Sequence, residues 1–283
     1  RHIISTAMEH HAVLHTLEAL EQQGFSVTYL KPDSEGRISP QQLEEAIRPD
    51  TALVSVMYVN NETGSVQPIR ELAAVCHGHE IPLHTDAVQA VGHIPVDVKA
   101  DGVDFLTLSA HKFHGPRGIG ALYVRRGIRL QSLIDGGGQE RGKRAGTENL
   151  PGIAGMAAAL EEETAQLKKH MDYVEGLRHT LVAGLREIPH ARINESPQHH
   201  APGIVNVSFA GVEGESLLLL LDGAGICASA GSACSAGSLE PSHVLLSMGI
   251  PRDIAQGSLR LSLDHSNTPE EVAETIAQVR TVV

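Results

Sequence analysis

A mostly parallel α/β sheet followed by a smaller α+β domain is the architecture that the sequence predicts. Short β-rich runs alternate with helical stripes through the first half, and the chemistry-bearing residues sit where those runs end. The patterning then changes after Asp135. Strand and helix in strict succession imply right-handed crossovers, which build parallel sheets.

Arg1 to Ser5 reads as a strand already under way, so a preceding N-terminal segment is expected. His10 to Gln23 places Val13, Leu14, Leu17 and Leu20 at helical spacing, and Gly24 stops it. Phe25 to Leu30 alternates as a strand does. Ala52 to Val59 is a β-branched run, as in a strand covered on both faces. Pro68 opens a helix whose Ile69, Leu72, Ala73 and Cys76 share one face. Strands follow at Pro82–Thr85, Phe105–Ser109 and Ala121–Arg125. From Gly136 to Arg144 the chain is glycine-rich and charged, a flexible polar connection. A long helix is expected over Ile153–Ile188, with Glu161–Glu163 on its solvated side. Strands at Ile204–Phe209 and Ser258–Leu263, with helices at Glu215–Gly223, Pro241–Met248 and Pro269–Val282, complete the pattern. The expected division is a large domain over 1–165 and a small one over 166–283.

Composition excludes several classes. The 283 residues hold 22 Lys and Arg against 34 Asp and Glu, a formal net charge of −12. An acidic chain without a basic stripe is a poor binder of phosphate backbones, so no nucleic-acid partner is expected. No apolar run approaches the roughly 18 residues of a membrane span. Cys76, Cys227 and Cys234 are too few and scattered for a disulfide framework, which fits a reducing, cytoplasmic setting. No secretory leader is expected.

Lys112 stands in Ser109-Ala110-His111-Lys112, just past the apolar run Phe105–Leu108 and before Gly115-Pro116-Arg117-Gly118. At a strand end in an open α/β sheet, a lysine beside small hydrogen-bonding residues suits an amine nucleophile. Position alone favours the plainer reading, a surface lysine after a strand. Asp86, at another strand end, is expected to be a partly buried carboxylate that needs a cationic partner; a protonated pyridine nitrogen would serve. It also reads as a helix cap before Ala87. Cys234 lies in Ala228-Ser229-Ala230-Gly231-Ser232-Ala233-Cys234-Ser235-Ala236-Gly237-Ser238, a run with almost nothing to bury. There it is presented for reaction, whereas Cys76 and Cys227 are expected to pack as inert apolar residues.

Six segments in order carry a family resemblance: Met8–Val13, Val59–Gly64, His84–Gly92, Ser109–Tyr123, Gly136–Asn149 and Ala228–Val244. Together they resemble the cysteine desulfurases, pyridoxal-phosphate enzymes of the fold-type I, class-V aminotransferase group. The length of the run around Cys234 resembles the branch that serves iron–sulfur assembly. The resemblance implies roles for each residue. Lys112 would bond the cofactor and shuttle protons, Asp86 would keep the ring nitrogen protonated, and Gln89 would bond the ring oxygen. His10 would stack on the ring and serve as acid or base, while His11 is expected on the helix surface. Ser109 and His111 would hold the phosphate, reached from the other subunit of a homodimer by Thr147. Asn61 and Arg260 would hold the carboxylate of L-cysteine, to which a guanidinium fork is suited. Cys234 would take the sulfur as a persulfide and pass it to an acceptor such as an iron–sulfur scaffold, leaving alanine. No metal is expected. Asp264-His265-Ser266-Asn267 departs from the family, which more often has Gly or Ser and an aromatic there. Selenocysteine lyases share most of these motifs, and a plain aminotransferase would leave Cys234 without work. A truncated, non-catalytic interaction module is the reading from a different class.

Overall fold

The computed structural model describes residues 1–230 and 240–283. Its first half is a six-stranded sheet in the order β2-β1-β3-β4-β5-β6. The strands are β1 (His2–Thr6), β2 (Ser26–Leu30), β3 (Thr51–Ser55), β4 (Leu83–Asp86), β5 (Phe105–Ser109) and β6 (Gly120–Val124). The first five run parallel, and only β6 turns back, antiparallel to β5. Every residue of β1 is buried, as a strand with neighbours on both sides and cover on both faces requires. The crossovers are α1 (His11–Gln22), α2 (Pro40–Ala46) and α3 (Ile69–Gly78). Ile69, Leu72, Ala73 and Cys76 are the buried face of α3, as the spacing predicts.

The second half holds a three-stranded antiparallel sheet, β7 (Ala191–Ile193), β8 (Ile204–Phe209) and β9 (Ser258–Ser262). It carries its own core, in which Val205, Val207, Phe209, Leu259 and Leu261 meet Leu217 and Leu221 of α6 (Gly214–Gly223) and Val272 and Val279 of α9 (Pro269–Val282). Between the halves runs α5 (Leu150–Arg186), within which the expected division after residue 165 falls. Met156, Ala159 and Leu160 of α5 pack on the first core, while Leu177, Leu181 and Leu185 belong to the second. A third cluster joins Met8 and Met57 of the large sheet's rim to Val244 and Leu245 of α7 (His243–Ser247) and Ala255 of α8 (Arg252–Ala255).

Four differences from the sequence reading have physical causes. The β-branched run ends as a strand at Ser55, just after its register with β1 ends at Val54. The N–H groups of Val56 and Tyr58 bond the carbonyls of His84 and Asp86, so the later apolar residues are core without being strand. Helix α2 is set by a capping box: the Ser39 hydroxyl accepts from Gln42 N–H, the Gln42 side chain accepts from Ser39 N–H, and Pro40 opens the first turn. The polar connection contains a short turn, α4 (Gln139–Gly142), with left-handed Glu140 and Arg141. Glu163, expected on the solvated face of α5, is buried at 6% exposure, because that face looks into the cleft between the two sheets.

Candidate active site

Five parallel strands deliver their carboxyl ends to one edge, and the chain's order reverses there, with β2 and β3 on opposite sides of β1. Open α/β sheets bind ligands at such an edge. The β4–β5 register sets Asp86 opposite Thr107, and Ala87 N–H bonds the Thr107 carbonyl at 3.0 Å. Ser109 lies two residues further on, followed by the 3-10 turn Ala110–Lys112. Asp86 and Lys112 thus occupy the same end of neighbouring strands. Asp86 Oδ1 accepts from Val88 N–H at 3.0 Å, so a tight turn rather than a helix follows it.

The backbone beneath the lysine is clamped. Phe113 is fully buried, and a Cβ added to Gly92 would fall 2.6 Å from the Phe113 Cβ, so only glycine lets the two turns touch. His93 Nε2–H donates to the Lys112 carbonyl at 2.7 Å. Burial lowers the His93 pKa, which keeps the ring neutral with one proton to give. His84 is lowered for the same reason and bridges Ser55 Oγ (2.8 Å) and Thr107 Oγ1 (3.4 Å).

On the β1 side, His10 caps α1, its Nδ1 accepting from Ala12 N–H at 3.1 Å. The neutral ring therefore carries its proton on Nε2. Glu9 is fully buried between β1 and β3, where its Oε1 accepts from Thr6 Oγ1 (2.8 Å) and Met57 N–H (2.9 Å). Burial pushes its carboxyl up to about 8, and the nearby Asp86 charge adds to the rise. His11 is not the surface residue expected. It is half-buried, its ring centroid 4.8 Å from that of His243, and burial together with the His243, His15 and His10 charges lowers its pKa. His243 Nε2–H in turn donates to the Glu9 carbonyl at 3.0 Å.

A third wall comes from the turn after β3. Asn60 Oδ1 accepts from the N–H groups of Glu62 and Thr63, both at 2.9 Å, and Gly64 closes the turn at φ +74°. This exposes the Asn61 carbonyl to Arg260 of β9, whose Nη1–H donates to it at 2.9 Å. Leu259 and Leu261 point into the small core, so the strand's alternation turns Arg260 the other way. Asn206 Nδ2 donates to the Glu62 carbonyl at 3.2 Å, and the Ser242 hydroxyl donates to the Glu62 carboxylate, tying the small sheet and α7 to the same turn.

Gln89 is half-buried in the turn after Asp86. Ser109 is half-buried and His111 exposed, with Ser109 Oγ 2.8 Å from His111 Nδ1. Partial burial, then the Lys112 and Arg117 charges, lowers the His111 pKa. Thr147 is exposed before α5, and no hydrogen bond among the described residues joins it to the others. Cys234 lies outside the described residues. Cys76 is buried as expected, but Cys227 is exposed, because it follows α6 at the surface instead of completing it. Sequence reasoning assigned no role to Glu9, His84, His93 or His243. All but His93 stand inside quoted motifs, but their burial and partners come from elements distant in the sequence.

The donor set matches pyridoxal phosphate in kind: an amine, a carboxylate for a protonated ring nitrogen, and a hydroxyl and imidazole for a phosphate, all on adjacent strand ends. Thr85 Oγ1, buried beside Asp86, is without a hydrogen-bond partner among the described residues.

Residues 1–274 match the family described as Aminotransferase class-V. A protein named cysteine desulfurase IscS from Methanosarcina thermophila is 51% identical over 283 residues, covering all of this chain and 70% of the relative. The solved structure of a NifS-like protein superposes with a TM-score of 0.93 at 41% identity, over 100% of this chain and 74% of the other. Another, of SspA in complex with cysteine, matches at TM-score 0.79 and 39% identity, over 94% and 74%. Among the described residues no helix is long and apolar enough to cross a membrane.

Proposed function

The chain belongs to the cysteine desulfurases of the class-V aminotransferase family, and from that premise we propose that it converts L-cysteine to L-alanine, with the sulfur passing to Cys234. The observation that carries this reading is the placement of Asp86 and Lys112 at the same end of adjacent strands. Pyridoxal phosphate, when bound, supplies an electron sink for the carbanion formed at the amino acid's α-carbon.

The chain's own groups do the rest. Asp86 offers a fixed anion to the ring nitrogen. Gln89 serves the ring oxygen, and Ser109 and His111 serve the phosphate, with Thr147 of a second copy completing that site in a homodimer. Arg260, held at 2.9 Å from the Asn61 carbonyl, receives the substrate carboxylate. Lys112 Nζ takes the proton from the α-carbon. His10 offers Nε2 as acid or base toward the thiol. The Cys234 thiolate attacks the substrate's sulfur, the carbon–sulfur electron pair returns to the carbon skeleton, and the S–S bond of a persulfide forms. That persulfide would supply iron–sulfur cluster assembly in the cytoplasm. One of the matched proteins, SspA, was solved in complex with cysteine, which supports this choice of substrate.

The test is Cys234→Ala. Alanine formation from cysteine should collapse while the cofactor's visible absorbance persists; undiminished desulfuration would overturn the persulfide step. Turnover of selenocysteine well above that of cysteine would instead favour a lyase.

A further inference from the structure

On the far side of the Lys112 turn, three elements converge on a second group of ionisable side chains. His114 comes from the loop just after Lys112, Glu163 and His170 from α5, and Asp264 and His265 from the loop after β9. One donor atom from each of His114, Glu163 and His265 lies within 4.8 Å of the other two. His114 Nε2 is 2.9 Å from Asp264 Oδ2 and 3.8 Å from Glu163 Oε1. His170 Nδ1 holds the other Glu163 oxygen at 3.1 Å, and its ring stacks on His265 at 3.9 Å.

We propose that this cluster is a binding site for a divalent transition-metal ion of the zinc class. His114, Glu163 and His265 are the ligands, and Asp264 is the fourth donor.

Four features support it. The donors are two imidazoles and two carboxylates, with no thiolate, a borderline set that suits zinc and its first-row neighbours. Two carboxylates and two neutral imidazoles around a dication leave no net charge, so a half-buried site is not penalised for holding the ion. Zinc bonds of about 2.0–2.1 Å place tetrahedral donors roughly 3.3 Å apart. The separations of His114 Nε2 from Asp264 Oδ2 and from Glu163 Oε1, 2.9 and 3.8 Å, lie on either side of that spacing. Finally, His170 on Glu163 is the kind of outer partner that orients a metal-bound carboxylate. The cluster faces an open cleft walled by Gly92, Val174 and Leu263, through which an ion can enter. When the metal takes the Nε2 lone pair of His114, the neutral ring keeps its one proton on Nδ1, and the Asp264 carboxylate, no longer facing an Nε2–H, turns to the ion. Occupied, the site would tie the lysine-bearing turn to the arginine-bearing strand through α5.

The experiment titrates zinc sulfate into the full chain reconstituted with pyridoxal phosphate, its cysteines first blocked with iodoacetamide to remove thiolate sites. One equivalent should bind, and cobalt(II) should give ligand-field bands between roughly 500 and 650 nm, the mark of a four-coordinate N/O site. His265→Ala, in an exposed loop, and Glu163→Gln, which keeps the side-chain volume, should each weaken zinc binding at least tenfold. Both should leave the far-ultraviolet circular dichroism unchanged. His11→Ala, in the other histidine group, should bind as the unaltered chain does. Absence of stoichiometric binding up to millimolar zinc, or equal binding by both cluster variants, overturns the proposal. These readouts need no desulfuration, so they stand apart from the catalytic reading.

Discussion

The two sheets contribute to the candidate site in opposite ways. The six-stranded parallel sheet offers residues from beyond its strands: His10 after β1, Asn61 after β3, Asp86 and Lys112 at the ends of β4 and β5. Its interior is covered on both faces, so the carboxyl edge is where polar groups can meet solvent. The antiparallel sheet offers Arg260 from mid-strand, because one of its faces is free of the core. The parallel sheet thus places chemistry by topology, and the antiparallel one by register. A change at a parallel strand's end should cost chemistry with little stability, whereas a change on the core face of β9 should cost stability first.

The largest effect should come from Lys112→Ala, with alanine formation falling by about 10³-fold or more. The thermal midpoint should stay near that of the unaltered chain. A matching collapse in stability would show that the parallel edge is not the permissive one. Leu259→Ala should act conversely, destabilising the small sheet by about 2–5 kcal/mol, because Leu259 is wholly buried against the second core. Chemical denaturation should detect it while cofactor absorbance survives in the folded fraction. One residue along the same strand, Arg260→Lys keeps the charge but loses the planar fork. KM for cysteine should rise about 10- to 100-fold, with kcat changed only a few-fold. A fall in kcat alone would remove Arg260 from substrate binding.

Glu9→Gln gives the most pH-dependent effect. The folded chain holds the Glu9 proton to about pH 8, whereas an ordinary carboxyl releases it near 4.5. Below the lower value both states are protonated and nothing is lost. As pH rises from there to about 8, the native chain loses stability relative to the unfolded one, by up to about 1.4 kcal/mol per unit. The glutamine variant cannot ionise and should flatten that slope. Denaturation midpoints measured from pH 5 to 8 would reveal it, and parallel curves for the two chains would refute it.

Much of this was legible in residue order. Periodicity located β5, β8 and α9 at their observed bounds, and the segments around Lys112 and Asp86 marked the edge that holds the candidate site, because strand ends and glycine turns are local properties of the chain. The departure at Asp264-His265 was also visible, but not its neighbours. His114 and Glu163 reach it from 150 and 101 residues away in sequence, and no periodicity links such positions.

The amino-acid order by itself determined the alternation of elements, the mostly parallel sheet and the identity of the chemically able side chains. Each follows from spacing along a few consecutive turns. Tertiary structure alone decided which polar groups are buried and whom they meet: Glu9 beside Asp86, His93 under Lys112, Glu163 among three histidines. Burial and pairing depend on strands and helices distant in the chain, and the energy of a charge is set by those surroundings rather than by its neighbours in sequence.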